Sequence, residues 1–140
     1  MAKIYETENF ILESHEKPEI SREEWWHIKI SPKVDVSDRT ELSKELAIEL
    51  MMFSIICWKA FKIWMLKNWV DIWRINYQEN WNWKPHLHIH LYWRAKTAKN
   101  QKYWEPLTPW NKIDFKKLNK KDILDIKNEI EILIETWKYL

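Results

Sequence analysis

Between Pro85 and Arg94 the chain reads Pro-His-Leu-His-Ile-His-Leu-Tyr-Trp-Arg. Successive side chains of an extended backbone point to opposite faces. A strand here therefore carries His86, His88, His90, Tyr92 and Arg94 on one face and Leu87, Ile89, Leu91 and Trp93 on the other. Only the apolar row belongs in a core. The sheet that holds this strand is then packed on one side, and three imidazoles stand about 6.7 Å apart on the open side.

The rest of the chain supplies partners for such a strand. Asn9 to Glu13 and Trp26 to Ser31 read as short strands, separated by the polar stretch Ser14 to Glu24, and Pro32 closes the second. From about Glu41 to Leu66 the period lengthens: Leu42, Leu46, Leu50, Phe53 and Cys57 recur at spacings of three and four, with Thr40 and Ser43 as candidate caps. Asp71 to Tyr77 reads as a strand, Gln78 to Pro85 as a loop, and His86 to Arg94 as the returning arm of a hairpin. After the polar stretch from Ala95 to about Leu118, a final helix over about 119–138 is predicted. It is capped by Asn119 with Asp122 three residues on, and Ile123, Ile126, Ile130, Leu133, Ile134 and Trp137 share one face. The predicted class is α+β: an antiparallel sheet with one long helix and a C-terminal helix.

A chain of 140 residues fits a single domain over 1–140. No apolar run approaches the ~18 residues of a membrane span, and the charged N-terminus lacks the apolar core of a secretory leader, so no membrane association is expected. The one cysteine, Cys57, excludes an internal disulfide and a Cys-based zinc cluster and suits a reducing, cytoplasmic setting. With 23 basic and 21 acidic residues the net charge is +2, too small for general electrostatic binding of nucleic acid. Lysines interleaved with tryptophans resemble single-strand stacking platforms, but the near-neutral charge argues against that use. A bound anion has to be met locally.

Two composition values conflict with ordinary backbone chemistry: Gly is 0 and Trp is 12, where average usage gives about ten glycines. Glycine is the usual residue where the backbone turns to positive φ. Trp69 follows Asn68 where the long helical pattern ends, the usual place of a terminating glycine, and Trp81 follows Asn80 where Asn-Gly would make a turn. Trp104 sits in a polar loop, and Trp25 and Trp26 open a short strand. Many of these tryptophans read as glycines encoded by UGA in an organism that decodes it so; the alternative is a genuinely tryptophan-rich protein. The mass of the natural product separates the two.

Three alternating histidines admit three readings. They are a solvated face; they bind metal, two at i and i+2 converging with a further ligand such as His27, Asp35 or Glu79; or they act on a phosphate, one neutral imidazole attacking while its neighbours donate to phosphoryl oxygens. The third needs no metal or other cofactor where fixed donors offset the developing charge. Beyond the strand, Arg94, Lys96, Lys99 and Lys102 form a basic run suited either to a polyphosphate or to plain solvation. Met51, Met52 and Cys57 read as core or flank, and His15 has no evident role.

His86-Leu87-His88-Ile89-His90-Leu91-Tyr92 resembles the His-φ-His-φ-His-φ-φ signature of the histidine triad (HIT) family of nucleotide hydrolases and transferases. Trp25-Trp26-His27-Ile28-Lys29-Ile30-Ser31-Pro32-Lys33 resembles that family's Gly-Gly-His strand and Pro-Lys turn. Asp38 to Ser43 resembles its entry to the long helix, and Asp71 to Tyr77 the strand beside the triad. The likeness runs over about 8–104, and the family commonly has glycine at the positions of Trp25, Trp26, Trp69, Trp81 and Trp93. It implies a homodimer that cleaves nucleoside phosphoanhydrides or phosphoramidates. His88 would attack the α-phosphate to give a nucleotidyl-histidine, His90 would bond the phosphate oxygens, and His86 would orient and polarise the site. Asn76 matches a position near the phosphate; Arg74, two residues away on the same face, is assigned by charge alone. One departure stands out. Many members have Pro-Lys-x-His where this chain has Pro32-Lys33-Val34-Asp35, so the usual donor is absent, and Asp35 either orients an imidazole through a hydrogen bond or is an exposed turn residue. A non-catalytic nucleotide-binding module and a zinc-dependent hydrolase using the same histidines remain as alternatives.

Overall fold

The computed structural model describes residues 2–15, 18, 27–79, 85–99, 102–107 and 116–137. Five strands, β1 (Lys3–Glu6), β2 (Phe10–Ser14), β3 (His27–Pro32), β4 (Ile72–Gln78) and β5 (Ile89–Ala95), form one antiparallel sheet in the order β1-β2-β3-β5-β4. Helices α1 (Lys44–Lys67) and α2 (Lys120–Trp137) complete the α+β fold. The expected strands are present, each beginning one residue later than predicted except the triad strand, which begins three later. β1 was not expected. Four residues carry too little pattern to announce a strand, and Thr7 creates one by turning the chain back: Thr7 N donates to Phe10 O at 2.9 Å, and Thr7 Oγ1 accepts from Phe10 N at 2.9 Å. Thr7 and Asn9 also donate to the two carboxylate oxygens of Glu49, which ties this turn to α1.

One face of the sheet meets the helices. Phe10, Leu12, Ile28, Ile30, Leu91 and Trp93 are fully buried in a core shared with Phe53, Cys57, Ala60, Phe61 and Met65 of α1 and with Ile126 and Ile130 of α2. Phe61 stacks on Trp93 with ring centroids 4.2 Å apart. Full burial of side chains of this size stabilises by about 1.5–3 kcal/mol each. Glu129 pairs with Lys67, and Asp125 accepts from the Trp64 indole at 3.4 Å, which fixes α2 along α1.

The helix termini follow the sequence. Ser43 caps α1, its hydroxyl accepting from Leu46 N at 3.2 Å. Thr40 lies instead in a short 3-10 turn, Arg39–Glu41, capped by Asp38. At α2, Asp122 N donates to Asn119 Oδ1 at 2.9 Å and Asn119 N to Asp122 Oδ2 at 3.1 Å, a reciprocal capping box. At the end of α1, Trp69 N donates to Leu66 O and Val70 N to Met65 O, the two bonds of a Schellman termination. Trp69 sits at its left-handed position with φ 61°, alone in positive φ among the described residues, and its side chain is 96 % exposed. The backbone thus asks for glycine where the sequence reading placed one. Trp93, by contrast, fills the core, leaving only its indole N–H without a partner. Trp25, Trp26 and Trp81 lie outside the described residues, as does the predicted last residue of α2. No helix of the described residues is long and apolar enough to cross a membrane.

Candidate functional site

The other face of the sheet carries the polar side chains. Register places Glu13 opposite Lys29, Lys29 opposite His90, and His27 and Asn76 opposite Tyr92; Arg74 and Arg94 form the next pair. This face is not the open row that alternation predicts. His27, Lys29, His90, Tyr92 and Arg94 are all buried, and of the five alternating residues from His86 to Arg94 His86 and His88 alone keep partial exposure. A polar layer this deep requires internal partners, and most of the geometry follows from that demand.

His86 and His88 precede β5, which begins at Ile89. Pro85 has no N–H for a ladder, and Leu87 N bonds Val36 O at 2.8 Å, outside the sheet. Leu87 still faces the core, so the in-and-out alternation survives although the pairing does not. His86 Nε2 lies 2.9 Å from Pro32 O, and His88 Nδ1 lies 2.7 Å from His86 O. A carbonyl oxygen only accepts, so both nitrogens carry the proton. For His88 this leaves the Nε2 lone pair pointing away from the backbone.

His90 stands edge-on to His88, ring centroids 4.8 Å apart. Its Nδ1 is 2.7 Å from His27 Nε2. Burial, reinforced by His88, His15 and Lys29 nearby, pushes the His90 pKa down from 6.5 to about 3, so this ring is neutral near pH 7. His15 stacks on His27 at 4.4 Å, and Tyr92 lies 4.4 Å from His27 on its other neighbouring strand. Neither His15 nor His27 was assigned to the triad from sequence. The available signal for His27 was its place in the alternation His27, Lys29, Ser31, which matches the phase of the triad; for His15 there was none.

The remaining candidates divide. Asn76 and Arg94 are joined, Arg94 Nη1 donating to Asn76 Oδ1 at 3.0 Å, while Arg94 Nη2 donates to the carbonyls of Lys102 at 2.6 Å and Glu105 at 2.8 Å. At 2 % exposure Arg94 holds the 102–105 segment against the sheet, and only its Nε lacks a partner. Arg74 is exposed beside Trp73. Lys96 is paired with Asp71 at 3.0 Å. Asp35 Oδ1 is 3.7 Å from His86 Nδ1, beyond hydrogen-bond reach, with its side chain fully exposed. Glu79, once a possible metal ligand, pairs with Arg39. Two groupings result: the imidazoles of His86, His88, His90, His27 and His15, and a separate Asn76–Arg94 brace on the same sheet face.

Neither a family model nor a curated protein matches this chain. Solved structures do. A histidine triad protein from Marinobacter aquaeolei VT8 is 18 % identical with a TM-score of 0.65, covering 96 % of this chain and 88 % of its own. A histidine triad (HIT) protein from Sinorhizobium meliloti is 15 % identical with a TM-score of 0.69, covering 94 % and 87 %. A hypothetical histidine triad nucleotide-binding protein from Sulfolobus tokodaii is 17 % identical with a TM-score of 0.55, covering 97 % and 85 %. The chain shares their fold.

Proposed function

We propose that this chain is a histidine triad protein that binds a nucleotide and cleaves it at the α-phosphorus, as a phosphoanhydride or phosphoramidate hydrolase or transferase. The observation that carries the reading is the 2.7 Å contact from His88 Nδ1 to the His86 carbonyl. It fixes one tautomer in a half-buried ring and leaves Nε2 as a lone-pair nucleophile without a separate base. Nε2 attacks phosphorus, an N–P bond forms as the P–O or P–N bond to the leaving group breaks, and the proton on Nδ1 stays shared with the carbonyl while the ring becomes cationic. Water then displaces the histidine and releases a nucleoside monophosphate. In this reading neutral His90 donates Nε2–H to a phosphoryl oxygen while its Nδ1 accepts from His27, and His86, anchored on Pro32 O, positions the His88 backbone and faces the leaving group. Asn76, Arg74 and Arg94 bear on the phosphate side, Arg94 by bracing Asn76. None of these steps calls for a metal or other cofactor.

The test is chemical trapping. Incubation with an adenylate labelled at the α-phosphorus is expected to leave acid-labile, alkali-stable label on the protein, absent in His88→Ala and retained in His15→Ala. Turnover with no trace of label in rapid quench, or label that persists in His88→Ala, refutes the nucleophile. Nucleotide binding without turnover over a broad panel supports the non-catalytic module, which the fully exposed, out-of-reach Asp35 favours. We also propose a homodimer: Ile48, Met51 and Met52 of α1 are exposed together at helical spacing.

A further inference from the structure

The triad was read along one strand, but the structure gathers a different set of imidazoles across three. His15 follows the end of β2, His27 begins β3 and His90 lies on β5, three strands consecutive in the sheet. Each offers one ring nitrogen, and the three atoms lie within 4.8 Å of one another. We propose that His15, His27 and His90 form a site for a divalent transition metal of the zinc class, with a coordination position left for water or an anion.

The chemistry favours this set over the pair expected from strand spacing. His86 Nε2 and His88 Nδ1 are both committed to backbone carbonyls, and the outer ligands suggested for them, Asp35 and Glu79, are respectively splayed into solvent and paired with Arg39. His27 and His90, in contrast, share a single proton between two nitrogens 2.7 Å apart in a buried place. A metal ion takes the place of that proton, which moves to His27 Nδ1 as the neutral ring changes tautomer, and both lone pairs are satisfied at once. Zinc–nitrogen bonds of 2.0–2.1 Å put tetrahedral ligands about 3.3 Å apart. The bonded pair opens slightly to reach that spacing, and the third ring closes by roughly an ångström or more, through side-chain rotation of half-buried His15 at the end of its strand.

The surroundings allow a cation. Among the described residues, Lys29 is the fixed positive charge that bears on His90, and it has Glu13 3.4 Å away across the strands. Imidazole suits zinc, copper and nickel, whereas calcium and magnesium prefer oxygen, so selectivity follows from the ligand set. Coordination through His90 Nδ1 also preserves the tautomer in which its Nε2 carries hydrogen, so the metal would take over the anchoring of His90 from His27 while touching a ring 4.8 Å from His88.

The site is tested on the tag-free, chelator-treated full chain without nucleotide, which keeps the outcome apart from the question of turnover. Titration with cobalt(II) is expected to saturate at one equivalent, with the intense visible absorption of a low-coordinate, nitrogen-rich site, and zinc is expected to displace it. His15→Ala and His27→Gln, each checked for its melting transition, should weaken binding by more than about tenfold, since even an outer-shell partner of a ligand is worth that much; His86→Ala should not. His15→Ala keeps the test decisive if His27→Gln does not fold, because His15 lies outside the apolar core. Absence of stoichiometric cobalt binding overturns the site. So does binding unaltered in His15→Ala, or binding lost in His86→Ala and retained in the other two.

Discussion

Replacing Trp69 by glycine should stabilise the protein, and the structure sets the size of the effect. Trp69 occupies the left-handed position of the α1 termination at φ 61°, where a Cβ crowds the backbone at a cost of about 1–2 kcal/mol. Its side chain is 96 % exposed, so removal forfeits almost no burial. Glycine gives back about 0.4–1 kcal/mol through its more flexible unfolded chain. The net gain is about 0.5–1 kcal/mol, which for 140 residues corresponds to a rise in Tm of about 2–3 °C. Trp69→Ala serves as the control: it removes the indole and keeps the Cβ, so it should leave Tm within about 1 °C of the parent. Differential scanning calorimetry on the three proteins decides. Equal stabilisation by alanine and glycine would show that the indole, not the backbone, carried the cost and would refute the argument. The same position bears on the natural product, because a protein with glycine wherever UGA is decoded so is much lighter than the sequence as written, by intact mass.

Other consequences are as direct. Because the His90 pKa falls to about 3 in the folded protein from 6.5, the unfolded chain binds more protons below pH 6.5; stability is whole above that pH and is lost progressively as pH falls toward 3. For the chelator-treated protein this amounts to about 2 kcal/mol between pH 8 and pH 5, read by urea denaturation and flattened in His90→Gln; an unchanged slope in that variant contradicts the assignment. Burial pushes the Cys57 thiol pKa up, so a thiol reagent should modify it only on unfolding, and rapid native labelling would show the α1 core to be open. Phe61→Ala, which strips the stacking partner of Trp93, should cost about 3–5 kcal/mol in chemical denaturation; a loss below 1 kcal/mol would mean that Trp93 does not pack there. Met51→Glu is expected to convert a dimer to monomer in light scattering without lowering Tm beyond a degree or two, and a parent that is already monomeric ends the dimer proposal.

Local patterns were enough for much of the architecture. The three-and-four spacing from Leu42 to Cys57, the Asn119–Asp122 cap and the alternation from Leu87 to Trp93 all concern neighbours along the chain, where side-chain direction follows from backbone period alone. These established both helices, four strands, the face of the triad strand that enters the core, and the backbone demand at residue 69. Tertiary structure decided the rest. That His27, Lys29, His90 and Tyr92 are buried and not open to solvent depended on packing between segments far apart in the chain. Whether His15 and His27 belonged to the histidine face depended on strand register, which brings His27 and His90 into contact across 63 residues. No period in a sequence encodes which strand lies beside which. That choice comes from burying the apolar faces of all five strands under two helices at once, and the cluster of imidazoles on the reverse side follows from it.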